Sequence, residues 1–102
     1  MADKTWVDLI HDHSPEMDQQ NKADMEFLER SSALSSREKL LIAMVLDAMA
    51  NKPNGARRYG ERAVQAGATK EQLLDALTVL RMFGGRPALV TGVEALRQFD
   101  KA

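Results

Sequence analysis

Arg58, Tyr59 and Arg62 stand close together on a stretch whose pattern predicts a helix, and Arg86 follows the pair Gly84-Gly85 further on. Guanidinium groups so placed suit a carboxylate or a phosphate, which they grip through charge-assisted, often paired, hydrogen bonds. Tyr59 adds a hydroxyl that can donate a proton or orient a bound molecule. A phenol is a poor base at neutral pH unless neighbouring cations favour its ionised form. The segment that carries these residues, Asn51 to Gly67, contains no cysteine, histidine or serine, so the commonest nucleophiles and the commonest general base are missing there.

Each candidate also has a plainer reading. Arg58 and Arg62 lie i, i+4 on one helix face, where like charges repel unless something negative sits between them. A ligand would serve, and so would Glu61 or another surface carboxylate in an ordinary salt bridge. Tyr59 can simply pack against Ala63 with its hydroxyl in water. Arg86 can cap the end of the helix before it.

Other chemistries find less support. The chain has no cysteine, which removes disulfides, thiolate metal sites and thiol redox chemistry together. His11-Asp12-His13 is a poor metal site, since i, i+2 histidines do not face each other on a helix and no third ligand is evident. No metal and no cofactor is expected. The 14 basic and 15 acidic residues give a net charge of −1, and no global field exists to attract nucleic acid or an anionic membrane. The first ten residues lack a basic segment followed by a long apolar run, and the longest apolar run, Leu40 to Leu46, is far shorter than the roughly 20 residues of a membrane span. The expectation is a soluble, cytoplasmic protein.

The elements that must position the candidates are all helical. At 102 residues, 44% of them hydrophobic and 28% charged, the chain is expected to be one domain over 1–102, with N-terminal helices over 1–31 and a core region over 34–100. Thr5 can cap a first helix bearing Trp6, Leu9 and Ile10, and Ser14-Pro15-Glu16 starts a second, sparsely apolar one that leaves Asp18 to Lys22 in water. Ser35 with Glu38 forms a capping box before the most apolar segment, Glu38 to Ala50, which is expected to be buried on most sides. A turn over Asn51 to Gly55 leads into a helix over 56–66 that Gly67 closes. Thr69 with Gln72 caps the next helix, Gly84-Gly85 ends it, and a final helix begins near Pro87. Period-two alternation is absent, and the spacing predicts an all-α fold of five or six helices. The methionines suit an adaptable core or a subunit contact.

Three segments in order, Leu34-Ser35-Ser36-Arg37-Glu38-Lys39-Leu40, Ala63-Val64-Gln65-Ala66-Gly67-Ala68-Thr69 and Gly84-Gly85-Arg86-Pro87-Ala88, resemble the carboxymuconolactone decarboxylase family, which includes the alkyl hydroperoxidase D proteins. Ser14-Pro15-Glu16 resembles the opening of that family's first long helix. The resemblance implies an all-helical subunit that assembles into homo-trimers or hexamers with a site near subunit contacts. It also implies a Cys-x-x-Cys-x-x-x-His motif, whose positions here are Lys52, Gly55 and Tyr59. The acidic residue that precedes that motif falls at or beside Glu38 and Lys39, and the usual tryptophan of the closing turn is Arg86. The favoured expectation is a family-like homo-oligomer without thiol peroxidase activity that binds a small anionic molecule near Tyr59. A lactone decarboxylase or isomerase using Tyr59 with an arginine clamp, and a non-catalytic structural subunit, remain as alternatives.

Overall fold

In a computed structural model, which describes residues 3–100, the chain is all-helical; the first and last two residues of the expected domain lie outside that range. The elements are α1 (Trp6–His13), α2 (Pro15–Glu29), α3 (Ser36–Met49), α4 (Pro53–Gln65), α5 (Lys70–Gly92) and a terminal 3₁₀ segment (Val93–Phe99). No described helix is long and apolar enough to cross a membrane.

The helix starts follow from the caps. The Thr5, Ser35 and Thr69 hydroxyls accept from the backbone N–H groups of Asp8, Glu38 and Gln72, and each of those side chains accepts in return from the cap residue's N–H. Ser14 caps α2 ahead of Pro15, whose missing N–H costs nothing at the first helical position. The cap hydrogen bonds to the Ser35 backbone and side chain hold the Glu38 carboxyl below its usual range, and those to Thr5 do the same for Asp8. A carboxylate whose folded-state pKa is depressed contributes stability at neutral pH, which is lost as pH falls through the folded-state value. Unfolding midpoints measured from pH 6 to about pH 3 are therefore expected to fall for the wild type. They should fall less for Ser35→Ala, which removes part of that linkage.

The core is built from α3, α4 and α5. Leu40, Met44 and Ala48 of α3 meet Ala56 and Ala63 of α4 and Leu73, Leu77 and Leu80 of α5, with Ala88 and Ala95 closing the cluster. Small residues on α4 let the helices approach closely. A Cβ placed on Gly60 would lie 2.5 Å from the Ala95 Cβ and 3.2 Å from the Met44 sulfur, and one on Gly92 would lie 2.6 Å from a Leu80 methyl.

Four expectations need correction. Helix α4 begins at Pro53, so the turn is confined to the residues before it and Gly55 sits inside the helix. Its packed face is Ala56, Gly60 and Ala63, with Tyr59 at the edge and Ala66 exposed. Gly85, at φ 77°, does break the helix that Thr69 starts, but the chain resumes helical geometry at once and then tightens to 3₁₀ from Val93, instead of running as one final α-helix. Asp18 is buried rather than solvated.

Helix α3 also differs from expectation: its buried residues are Lys39, Leu40, Met44 and Ala48 alone. Leu46 is 61% exposed, and with Ile42, Leu41, Val45, Ala76 and Val79 it lines an apolar groove of about 280 Å³. The burial predicted for most sides of α3 is not supplied within one chain.

Helices α1 and α2 form a hairpin in which α1 packs on α2 and α2 packs on α3. The radius of gyration, 14.7 Å, exceeds the about 13 Å typical of a domain this long. The space between the hairpin and α4 is the candidate site.

Candidate functional site

A cavity of about 370 Å³ separates the hairpin from α4. One wall comes from α4 and carries Arg58, Tyr59 and Arg62. The other comes from Trp6 and Val7 of α1 and from Asn21, Lys22, Met25, Glu26 and Glu29 of α2. The volume falls within the usual range for small-molecule sites.

The α4 wall is set by the helix period. Positions 58 and 62 share a face, and Tyr59, one position on, is rotated toward the α4 edge next to the packed stripe of Ala56, Gly60 and Ala63. Tyr59 is half-buried, and its hydroxyl has no hydrogen-bond partner among the described residues. The Arg62 guanidinium carbon lies 6.0 Å from the centre of the Tyr59 ring.

The charges are unequally matched. Arg62 lies 3.6 Å from a Glu29 carboxylate oxygen and 3.6 Å from the Met25 sulfur, so the plainer salt-bridge reading applies to it. Lys22 is paired with Asp18 at 3.2 Å, and the same carboxylate oxygen of Asp18 is 2.9 Å from His11 Nδ1. The His11 hydrogen bond, followed by Lys22, holds the Asp18 carboxyl below its usual range despite its burial. Glu61, which could have separated Arg58 from Arg62, pairs with Arg57 instead. Arg58 has no ion-pair partner among the described residues.

Arg86 is exposed and does not line this cavity. It follows the break at Gly85, at the far end of α5 from Thr69, so the expected convergence of three arginines reduces to two.

The motif positions are occupied by residues with other tasks. Lys52 is exposed at the N-cap of α4 and makes no capping hydrogen bond through its side chain. A Cβ on Gly55 would overlap the Asp47 carboxylate and lie 2.8 Å from its Cγ, so any side chain there displaces Asp47. Gly55→Ala is accordingly expected to lower stability by about 1 kcal/mol, the crowding outweighing the helix-propensity gain of alanine over glycine. Adding Asp47→Ala should recover the loss in a denaturant titration. Glu38 is exposed and committed to its capping box.

Lys39, by contrast, is buried at 4% exposure. Its ammonium donates to the carbonyls of Phe27 and Arg30 at 2.9 and 2.8 Å and lies 3.7 Å from the centre of the Phe27 ring. Helix α2 has no basic residue in its last turn, and Lys39 supplies that cation from α3. Burial, with the nearby Arg30 charge second, holds the Lys39 ammonium below its usual pKa. Neither position that could carry the family's acidic residue presents a free carboxylate to Tyr59; the carboxylates of the cavity, Glu26 and Glu29, come from α2.

Spacing alone brought together Arg58, Tyr59 and Arg62. It gave no sign of the facing wall, because Trp6 and Met25 reach the cavity through the docking of the hairpin and not through their place in a helix period.

This arrangement, an all-helical chain with an apolar α3, a short turn into α4 and a break before the closing helix, matches the alkyl hydroperoxidase D-like helical fold. The model of the carboxymuconolactone decarboxylase family matches residues 17–98, and the chain belongs to that family. Among solved structures it is similar to apo-lpg0406, a carboxymuconolactone decarboxylase family protein from Legionella pneumophila, with a TM-score of 0.78 and 26% identity over 93% of this chain and 88% of that one. No protein with a curated description matches. Helix α1, which contributes Trp6 and Val7, precedes the residues that the family model covers.

Proposed function

We propose that this chain is a carboxymuconolactone decarboxylase-family protein without thiol peroxidase activity that binds a small anionic molecule beside Tyr59. The observation that carries this reading is the presence of Arg58, Tyr59 and Arg62 on one cavity, with Arg58 lacking a carboxylate partner among the described residues and the Tyr59 hydroxyl free to donate. The want of thiol chemistry rests on the sequence, which has no cysteine to form the attacking thiolate. The same composition suits a cytoplasmic setting.

Calorimetric titration with acetate and with inorganic phosphate tests the site. Binding of at least one anion is expected, weakened about tenfold or more by Arg58→Ala, since a charge-assisted pair to a guanidinium supplies roughly 1.5–3 kcal/mol. Binding of neither anion, or binding indifferent to Arg58, would overturn the reading. A measurable turnover of hydroperoxide with a dithiol reductant would overturn its chemical half.

Self-association into trimers or hexamers is part of the same proposal. It is supported by the bare apolar groove of α3 and α5, since contiguous exposed apolar surface of this kind marks interaction sites. Sedimentation should find an oligomer for the wild type and smaller species for Leu46→Glu; a monomeric wild type removes this part.

A further inference from the structure

Resting on the anion site proposed above, we infer that its ligand is an aromatic monocarboxylate, with the carboxylate on Arg58 and the ring held between Trp6 of α1 and the α4 wall. The charge count of the cavity points to one negative charge. Of its three cations, Lys22 is engaged by Asp18 and Arg62 by Glu29, which leaves Arg58 on the α4 wall and the Glu26 carboxylate on the α2 wall each without an ion-pair partner among the described residues, so one negative charge is accommodated at Arg58 and none beside α2. Glu26 and Glu29 line the α2 side, and a second negative charge on the ligand would be placed against them without a free cation to offset it.

The rest of the cavity is suited to a flat apolar body. Trp6 is 52% exposed and Val7 41% exposed at the wall of an open cavity, and neither is covered by the chain itself. Helix α1 has no buried residue at all, and of its apolar residues Trp6 and Val7 line the cavity. Tyr59 and the Met25 sulfur face it from the other elements. Aromatic rings prefer offset or edge-to-face partners, and a thioether sulfur adds a favourable contact at a ring edge, so indole, phenol and thioether together favour an aromatic ring over an aliphatic chain. A volume of about 370 Å³ holds a single substituted ring with room for ordered water.

The residue that sets this preference is Trp6. It lies outside the family-matched residues 17–98.

Calorimetry on the full chain with four probes, benzoate, cyclohexanecarboxylate, acetate and phthalate, tests the inference. Benzoate is expected to bind at least about tenfold more tightly than acetate and than the dianion phthalate, with cyclohexanecarboxylate between. Trp6→Ala should weaken benzoate about tenfold and leave acetate unchanged, while Arg58→Ala should weaken both. Trp6→Leu, which keeps apolar area but no aromatic face, should place benzoate and cyclohexanecarboxylate at equal affinity. Because Trp6 is half-exposed and packs on no core residue, these variants should retain the wild-type unfolding midpoint. Equal affinities for benzoate and acetate, both lost in Arg58→Ala, would overturn the aromatic inference and leave the anion site standing. Tighter binding of phthalate than of benzoate would overturn the single charge. Failure of all four probes would overturn the anion site itself.

Discussion

Gly60→Val is expected to lower the unfolding midpoint by roughly 5–20 °C, corresponding to about 1–3 kcal/mol of overpacking in a domain of this size. The position lies where α4 crosses the terminal 3₁₀ segment, and the first added carbon would already stand 2.5 Å from the Ala95 Cβ. Gly60 and Ala95 are both buried, and Ala95 is fully so, which leaves no side chain free to swing away. The small gain in helix propensity over glycine, under about 1 kcal/mol, does not offset the clash. A methyl exchange checks the cause. Gly60→Ala should destabilise, and Gly60→Ala with Ala95→Gly should be more stable than the sum of the two single changes by at least about 0.5 kcal/mol. Strict additivity in chemical denaturation would mean that the two residues do not meet as described.

Met44→Ala is expected to cost about 2–5 kcal/mol, a large share of the roughly 5–15 kcal/mol that stabilises a domain of this length. Met44 is fully buried at the centre of α3, and its sulfur reaches the underside of Gly60, one residue from Tyr59. Its removal leaves a cavity beneath the α4 wall of the site. Leu46→Ala, on the opposite side of the same helix, provides the contrast. Within one chain Leu46 is mostly exposed, and its truncation should change stability by no more than about 0.5 kcal/mol. Equal losses for Met44→Ala and Leu46→Ala, measured at a dilution where only the single chain is present, would contradict this assignment of faces.

Much of the fold could be read from the sequence because its signals are local. Thr5, Ser35 and Thr69 cap the helices they were expected to cap, and Gly85 takes the positive φ that breaks a helix. The misreadings have physical causes. Gly55 looks like a turn residue, but it is a helix residue whose missing side chain makes room for Asp47, a requirement only tertiary packing can impose. Asp18 was expected in water, where charged residues mostly lie, and no local signal marks the burial of the Lys39 charge. Each is buried because a partner distant in sequence satisfies it: His11 for Asp18, and the carbonyls of Phe27 and Arg30 for Lys39. In the site, the i, i+4 spacing gave the arginine face of α4, while Arg86, suggested by its place in the family pattern, does not line this cavity of the single chain.

The hairpin of α1 and α2 joins the remaining helices through few ties: the Lys39 ammonium, the Ser36 hydroxyl on the Leu28 carbonyl, the packing of Leu28, and Arg62 with Glu29 and Met25. The two sides of the binding space therefore belong to units of unequal local stability, and the weaker one can open without global unfolding. On the function proposed above, filling the space would favour the docked hairpin, and the apparent affinity would be the intrinsic affinity reduced by the fraction of molecules in which the hairpin is docked. Amide hydrogens of α2 should then exchange more slowly when the space is filled, while those of α5 around Leu73 and Leu77 report only the global equilibrium.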